Sequence, residues 1–441
     1  MKYKICVEGF GKIKYAEIEL APLTFFVGDN NSGKSYLLSL IWALHSTDAM
    51  TSLFNGLADL RIESANRIRR IVTDMLEQAQ NESKVTVAIE SRDLVNVINK
   101  LLENNKDIFV SNIFNSKEVK VNRIWIELIE EEQVVVKSVQ SNQRIMFRYN
   151  RSSSSIPVRL ISSDSKFAVR FLQMRILGSC LANDIHNSIY LPAARTGFML
   201  SKDIINKVGR QEVFDLVNES ERVDTVLQPF TKPIIEFLNE IESVSIDNMS
   251  KFEDIVNWVE SGMMNGNIRY EEAGKKEIRY IPHGKEASIP LRATSAIVTE
   301  LTPLIILLKY KHFFNELCYE EPEMCLHPQL QLKMGQLLIR MVNAGLNIIA
   351  TTHSDIMLQH VNNMCRLKEM GMPAEILEQF GLDITDGVGK EKVAVYQFTD
   401  RGSYSTVERI PYTDGGFQIP TFQDALMNIL EQTSQIQDYE E

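Results

Sequence analysis

The sequence predicts an α/β fold with a largely parallel sheet, and three observations carry that expectation. Within the first 45 residues a strand runs into the loop GDNNSGKS and then into a helix. A second apolar strand, ELCYE, ends in the adjacent carboxylates Glu320 and Glu321. From about residue 277 onward helices alternate with apolar strands, the pattern of strands covered on both faces.

KYKICVEGF reads as a first strand, YAEIELAPLTFFV as a second, and YLLSLIWAL as the helix after the loop. From about 50 to 175 the period keeps changing. It is helical near 58–80, alternating in KVTVAIE and RIWIELIEEEQVVVKSV, and polar at the SSSS run 152–155. Residues 51–198 therefore read as an inserted α+β lobe that returns to the core near 189–198. In 199–276, DLVNESERVDTVLQPF and KPIIEFLNEIESV give amphipathic helical patterns interrupted by Pro229 and Pro233. No heptad register persists there, which excludes a long coiled-coil arm. This segment reads as a helical insertion for assembly or partner binding. The core is assigned to 1–50 and 277–433, with helix TELTPLIILLKYKHFF, strand ELCYEEPE, helix QLQLKMGQLLIRMV and strand LNIIATTHS in order. The acidic tail 434–441 is expected to fray. No internal repeat is present.

Length and composition bound the function. At 441 residues the chain holds two structural units or one large core with insertions. Its 47 basic and 58 acidic residues give a net charge of −11, which argues against a generally basic nucleic-acid binder. The five cysteines are odd in number and form no CxxC pair, so neither a disulfide framework nor a zinc site is indicated. No apolar run reaches the roughly 18 residues of a membrane helix, and the N-terminus lacks the apolar core of a signal peptide. A soluble, cytoplasmic protein is expected.

GDNNSGKS fits G-x-x-x-x-G-K-[ST] as Gly28, Gly33, Lys34 and Ser35, in the strand–loop–helix context that the motif requires. The glycines let backbone wrap a phosphate closely, so the loop through Asn30, Asn31 and Ser32 can aim amides and a helix N-terminus at the anion. Lys34 then supplies charge to the β- and γ-phosphates of ATP, and Ser35 offers a hydroxyl to Mg²⁺, a cation that prefers hard oxygen ligands. Glu320 and Glu321 stand at the carboxyl end of their strand, where parallel α/β sheets bind ligands. Alternation along a strand turns them to opposite faces. Glu320 is thereby expected to hold Mg²⁺, directly or through water, and Glu321 to polarise the water attacking the γ-phosphate. A further strand ends in Thr352 and His353, whose imidazole is placed to donate to the γ-phosphate. The remaining histidines show no metal-ligand spacing and are expected at the surface or in packing, with His327, close behind the carboxylates, a possible exception.

In this order GDNNSGKS, LCYEEPEMCLHP and IIATTHSD resemble the ABC-type ATPases of the SMC, RecF and OLD group, in which two nucleotide-binding domains sandwich ATP. The resemblance covers both ends of the chain and implies an ABC-type P-loop ATPase core with a mixed, largely parallel sheet plus α+β and helical insertions. It makes Lys34 and Ser35 part of Walker A, Glu320 and Glu321 Walker B, His353 the switch histidine, and MCLHP the D-loop. It also implies a signature loop at RATSAIVTEL, with Thr294 and Ser295 reaching the γ-phosphate of a second copy in a head-to-tail dimer or a larger even-numbered assembly. Ala296 stands where that family has glycine and Glu320 where it has aspartate. Slow turnover, or ATP acting only as an assembly ligand, follows as an alternative.

IYLPAARTGF, EKVAVYQF and YTDGGFQIPTFQDAL resemble the stand-alone ATPase subunits of bacterial anti-phage systems such as Septu and PARIS. That resemblance implies a separately encoded nuclease partner, of HNH or TOPRIM type. After His353 there is no Asp-x-Asp pair and no His-Asn-His pattern, so no nuclease is expected in cis. Arg195, in PAARTG, reads equally as a sensor or as a structural ion-pair partner. Between 141 and 175 seven basic residues face one acid, Asp164. This is either a DNA-contacting patch, which would favour a RecF-like repair ATPase, or a solvated face balanced by acids from elsewhere.

Overall fold

A computed structural model describes residues 1–141, 144–149, 156–158, 165–182, 188–202, 205, 230–244, 251–272, 276–311, 314–420 and 429–437. Its main sheet has nine strands in the order β5-β1-β2-β16-β15-β3-β14-β13-β9. In chain order these are β1 (Tyr3–Phe10), β2 (Ile13–Glu19), β3 (Leu23–Gly28), β5 (Arg123–Leu128), β9 (Ser188–Leu191), β13 (Glu316–Glu320), β14 (Asn347–Thr352), β15 (Val393–Asp400) and β16 (Ser405–Ile410). The five strands from β15 to β9 run parallel, while β5, β1 and β2 pair antiparallel, as do β15 and β16. The sheet is therefore mixed and largely parallel, as the sequence predicts.

YAEIELAPLTFFV is not one strand but two. The chain breaks at Ala21 and Pro22, where proline has no ladder donor and the Ala21 N–H is taken by Thr24 Oγ1 at 3.0 Å.

Alternation in the central strands feeds two cores, one on each face. Phe26, Cys318 and Ile349 enter one cluster; Phe25, Val27, Leu317, Tyr319, Ile348 and Ala350 enter the other. The first cluster takes in the helix Lys34–His45 and also the inserted lobe, through Ile68 and Val72 of helix Glu63–Asn81, Leu94 and Ile98 of helix Ser91–Phe114, and Leu172 of helix Ser165–Ala182. β5 of the lobe pairs directly with β1. A second sheet, in the order β4-β6-β7-β8, is formed by β4 (Lys84–Glu90), β6 (Gln133–Ser141), β7 (Arg144–Tyr149) and β8 (Ile156–Val158).

In the second insertion, helices Lys232–Glu242 and Glu253–Val259 lead into β10 (Gly266–Glu272). The boundary drawn at 276 falls inside a hairpin, because β10 pairs with β11 (Lys276–Pro282). Pro233 sits at the start of its helix, where its missing N–H costs nothing. The segments 152–155 and 215–229 lie outside the described residues. Residues 434–437 continue an exposed helix that runs over 429–437, and 438–441 lie outside the described residues. No described helix is long and apolar enough to cross a membrane. All five cysteines are free, and only Cys325 is exposed.

Candidate functional site

The carboxyl ends of β3, β14 and β13 open at the same sheet edge. All six residues of β3 are buried, and Gly28 closes it at φ 122. A Cβ there would lie 2.0 Å from the Phe398 carbonyl oxygen, so the contact between β3 and β15 admits only glycine. The loop is then sewn to β15. Asp29 N–H donates to Phe398 O at 3.1 Å, and the Asp29 carboxylate accepts from Asp400 N–H at 2.8 Å. Ser32 Oγ donates back to Asp29 O at 2.7 Å, Asn31 adopts φ 57, and Gly33 at φ 97 delivers the chain into helix Lys34–His45.

Lys34, a buried residue at the cleft, donates through Nζ to Gly28 O at 3.0 Å and Asp29 O at 2.6 Å. Burial lowers its pKa to about 8 against the opposing pull of Glu321, Asp29 and Glu323. A buried ammonium whose hydrogen bonds go to neutral carbonyls keeps a strong attraction for an anion. These observations fit a polyphosphate. Loop residues Asn30 to Ser35, with Lys12, Tyr36, Glu321, Thr351 and His353, line a cleft of about 250 Å³. Ser35 is exposed at its rim. Among the described residues no three His, Cys, Asp or Glu side chains gather as a metal cage.

Glu321 reaches the cleft by a route different from the expected one. β13 ends at Glu320, and Glu321 turns in the left-handed region at φ 42, with its N–H donating to Thr351 O at 3.0 Å. A backbone turn, not strand alternation, separates the two carboxylates. Glu320 does not line the cleft; its Oε2 accepts from Ala193 N–H at 2.9 Å, beside β9.

His353 Nε2 stands 4.0 Å from Glu321 Oε1, and its ring is about one-third exposed. Burial, and then the charge of Lys34, lower its pKa from the usual 6.5, so the imidazole is neutral at pH 7. Its backbone N–H donates to Glu323 Oε1 at 2.6 Å. Burial raises the Glu323 pKa. Glu323 was missed in the sequence, although the third acid of EEPE was its signal.

Arg195 is fully buried, as is its ion-pair partner Glu300, 2.5 Å away. Its guanidinium donates to the carbonyls of Pro192 (3.1 Å), Glu320 (2.8 Å) and Glu321 (3.0 Å) and lies 4.8 Å from the centre of the Tyr319 ring. Of its two readings, the structural ion pair is the one observed.

Thr294 and Ser295 precede helix Ala296–Tyr310 and do not line this chain's own cleft. Ser295 is exposed, and Thr294 Oγ1 donates to Leu291 O at 2.7 Å. His45 is a packing residue, its Nδ1 2.8 Å from Glu316 Oε1. His327 is exposed, outside the cleft. In the basic stretch, Lys166 and Arg170 are exposed on helix Ser165–Ala182, while Arg151 and Arg159 lie outside the described residues.

The family model described as the AAA ATPase domain matches residues 1–358. No curated protein matches the chain. Three solved SMC heads are similar. One is the SmcHead bound to the C-winged helix domain of ScpA, with 15% identity over 92% of this chain and 97% of that one, at a TM-score of 0.37. Another is the SMC head domain from Thermotoga maritima, with 12% identity over 93% and 99%, at 0.36. The third is the Smc head domain with an extended coiled coil bound to the C-terminal domain of ScpA derived from Pyrococcus furiosus, with 16% identity over 98% and 100%, at 0.37. At these scores the family rests on the sequence match.

Proposed function

This chain belongs to the AAA ATPase domain family, and we propose that it binds ATP with Mg²⁺ and hydrolyses it slowly at a site completed by a second copy. The observation that carries the reading is Glu321, turned by its left-handed backbone onto the cleft that holds Lys34 and His353. Loop amides from Gly28 to Ser35 and the Lys34 ammonium hold the triphosphate. Ser35 would be among the residues that hold Mg²⁺, which when bound would supply positive charge to the phosphate oxygens. Glu321 accepts the proton of the water that attacks the γ-phosphorus, and neutral His353 donates to the γ-phosphate. Ser295, exposed at a helix N-terminus, is the part offered to the partner copy's nucleotide.

Glu321→Gln should leave ATP affinity unchanged and lower turnover by about 100-fold or more. Steady-state phosphate release beside ATP titration checks it. Tight binding with no wild-type turnover, alone and with the product of any adjacent gene, would leave ATP as the ligand of a scaffold. The link between Glu320 and Ala193 N–H, together with Ala296 in the loop, favours that second reading.

The further role we assign, control of a separately encoded nuclease in anti-phage defence, is supported by the resemblance of PAARTG and of the EKVAVYQF tail. Co-purification with an adjacent nuclease, and ATP-dependent change in its cutting, would test it. Partner-independent, ATP-dependent DNA binding through 141–175 would point to a RecF-like repair ATPase.

A further inference from the structure

We propose that Arg195 is the positioning residue for Glu321, fastening the turn that aims this carboxylate to the helix that starts behind Thr294 and Ser295. The inference rests on the reading of Glu321 as the group that activates water.

Arg195 has no solvent to share its charge with, and a buried cation must be paired and hydrogen-bonded. The charge is met by Glu300, in the second turn of helix Ala296–Tyr310. Thr196 Oγ1 donates to the other Glu300 oxygen, which fixes that carboxylate in turn. Guanidinium N–H groups then go to Glu320 O and Glu321 O, the two carbonyls that flank the φ 42 turn. Left-handed backbone at a non-glycine residue persists only when its surroundings over-determine it. Here the Glu321 N–H is held by Thr351 O and the Glu321 carbonyl by Arg195, so both peptide groups of the residue are fixed. A lysine cannot span this set, because one ammonium lacks the planar fork that serves a carboxylate and two carbonyls together. Any buried arginine needs acceptors for its N–H groups as well as a counter-charge. The two catalytic-turn carbonyls are what mark this one.

The link has two ends. Glu300 belongs to the helix whose exposed start, Ser295, is offered to a second copy, so contact there reaches the Glu321 turn through one buried ion pair.

The test uses the full chain and three variants: Thr196→Val, which removes a single hydrogen bond to Glu300; Arg195→Lys; and the double variant Arg195→Gln with Glu300→Gln, which leaves no unpaired charge. Thermal unfolding establishes which of them fold. In folded variants the ATP affinity and KM should stay within about threefold of wild type, while kcat falls severalfold in Thr196→Val and on the order of 100-fold in the other two, the scale of a small misplacement of a catalytic group. Wild-type kcat in Thr196→Val or in a folded Arg195 variant would overturn the proposal. A crystal structure of the same variant reads the claim without turnover. Glu321 leaving the left-handed region supports it, and Glu321 unmoved overturns it. Absence of turnover in the wild type would sink the water-activating reading instead, and the variant structure would then decide the positional claim.

Discussion

Lys34 is a cation held among neutral carbonyls, and its pKa of about 8 makes nucleotide binding sensitive to pH. Phosphate favours the charged form. Below pH 8 the free protein already carries that proton. Above about 8 it must take one up on binding, so ATP affinity should fall as pH rises through 8, by up to roughly tenfold per unit. Calorimetry in two buffers of different ionisation enthalpy would show proton uptake in that window and none at pH 7. The same shift sets the sign for folding. Between 8 and 10.5 the unfolded chain binds the extra proton, so the cost of burying Lys34, fully present below pH 8, is relieved as pH rises through that range. Gly28→Ala should destabilise by about 2 kcal/mol or more, since it combines a forbidden φ with backbone contact; chemical denaturation would measure it. The P-loop residues were legible because their motif is contiguous and its local context complete. Glu323 and the role of Arg195 were not, because each is defined by a neighbour 30 or more residues away.

Among the elements, helix Ala296–Tyr310 presents an N-terminus whose cap residue, Ser295, makes no side-chain capping bond. Ser295→Arg should leave ATP binding intact while preventing both an ATP-induced dimer and turnover, seen by light scattering beside phosphate release. Normal turnover in that variant would show that the helix start does not take part. This helix, β13, helix Pro328–Asn343 and β14 were readable because short apolar runs alternate with longer apolar or amphipathic ones. Helix Ser91–Phe114 was overlooked, though Leu94, Val97, Ile98, Leu101 and Leu102 follow the helical spacing. The break between β2 and β3 was also overlooked, though Pro22 signals it.

For the whole molecule, the shared core decides cooperativity. The inserted lobe and the P-loop helix contribute to one cluster, so calorimetry should show a single unfolding transition, not a separate one for the lobe. ATP at 100 times its Kd should stabilise that transition by about 2.7 kcal/mol. The alternation of helices and apolar strands announced the sheet, but the sharing of the core by an insertion needs packing that no linear pattern records.

The seam between Asp29 and Asp400 joins residues 371 apart in sequence. Loop closure over such a span comes late and slowly in folding. On the ribosome, the phosphate loop is synthesised among the first residues but cannot take its final shape until β15 has emerged and docked beside β3. A nascent chain stalled before β15 should therefore fail to retain ATP, and nucleotide binding would report that synthesis has passed β15.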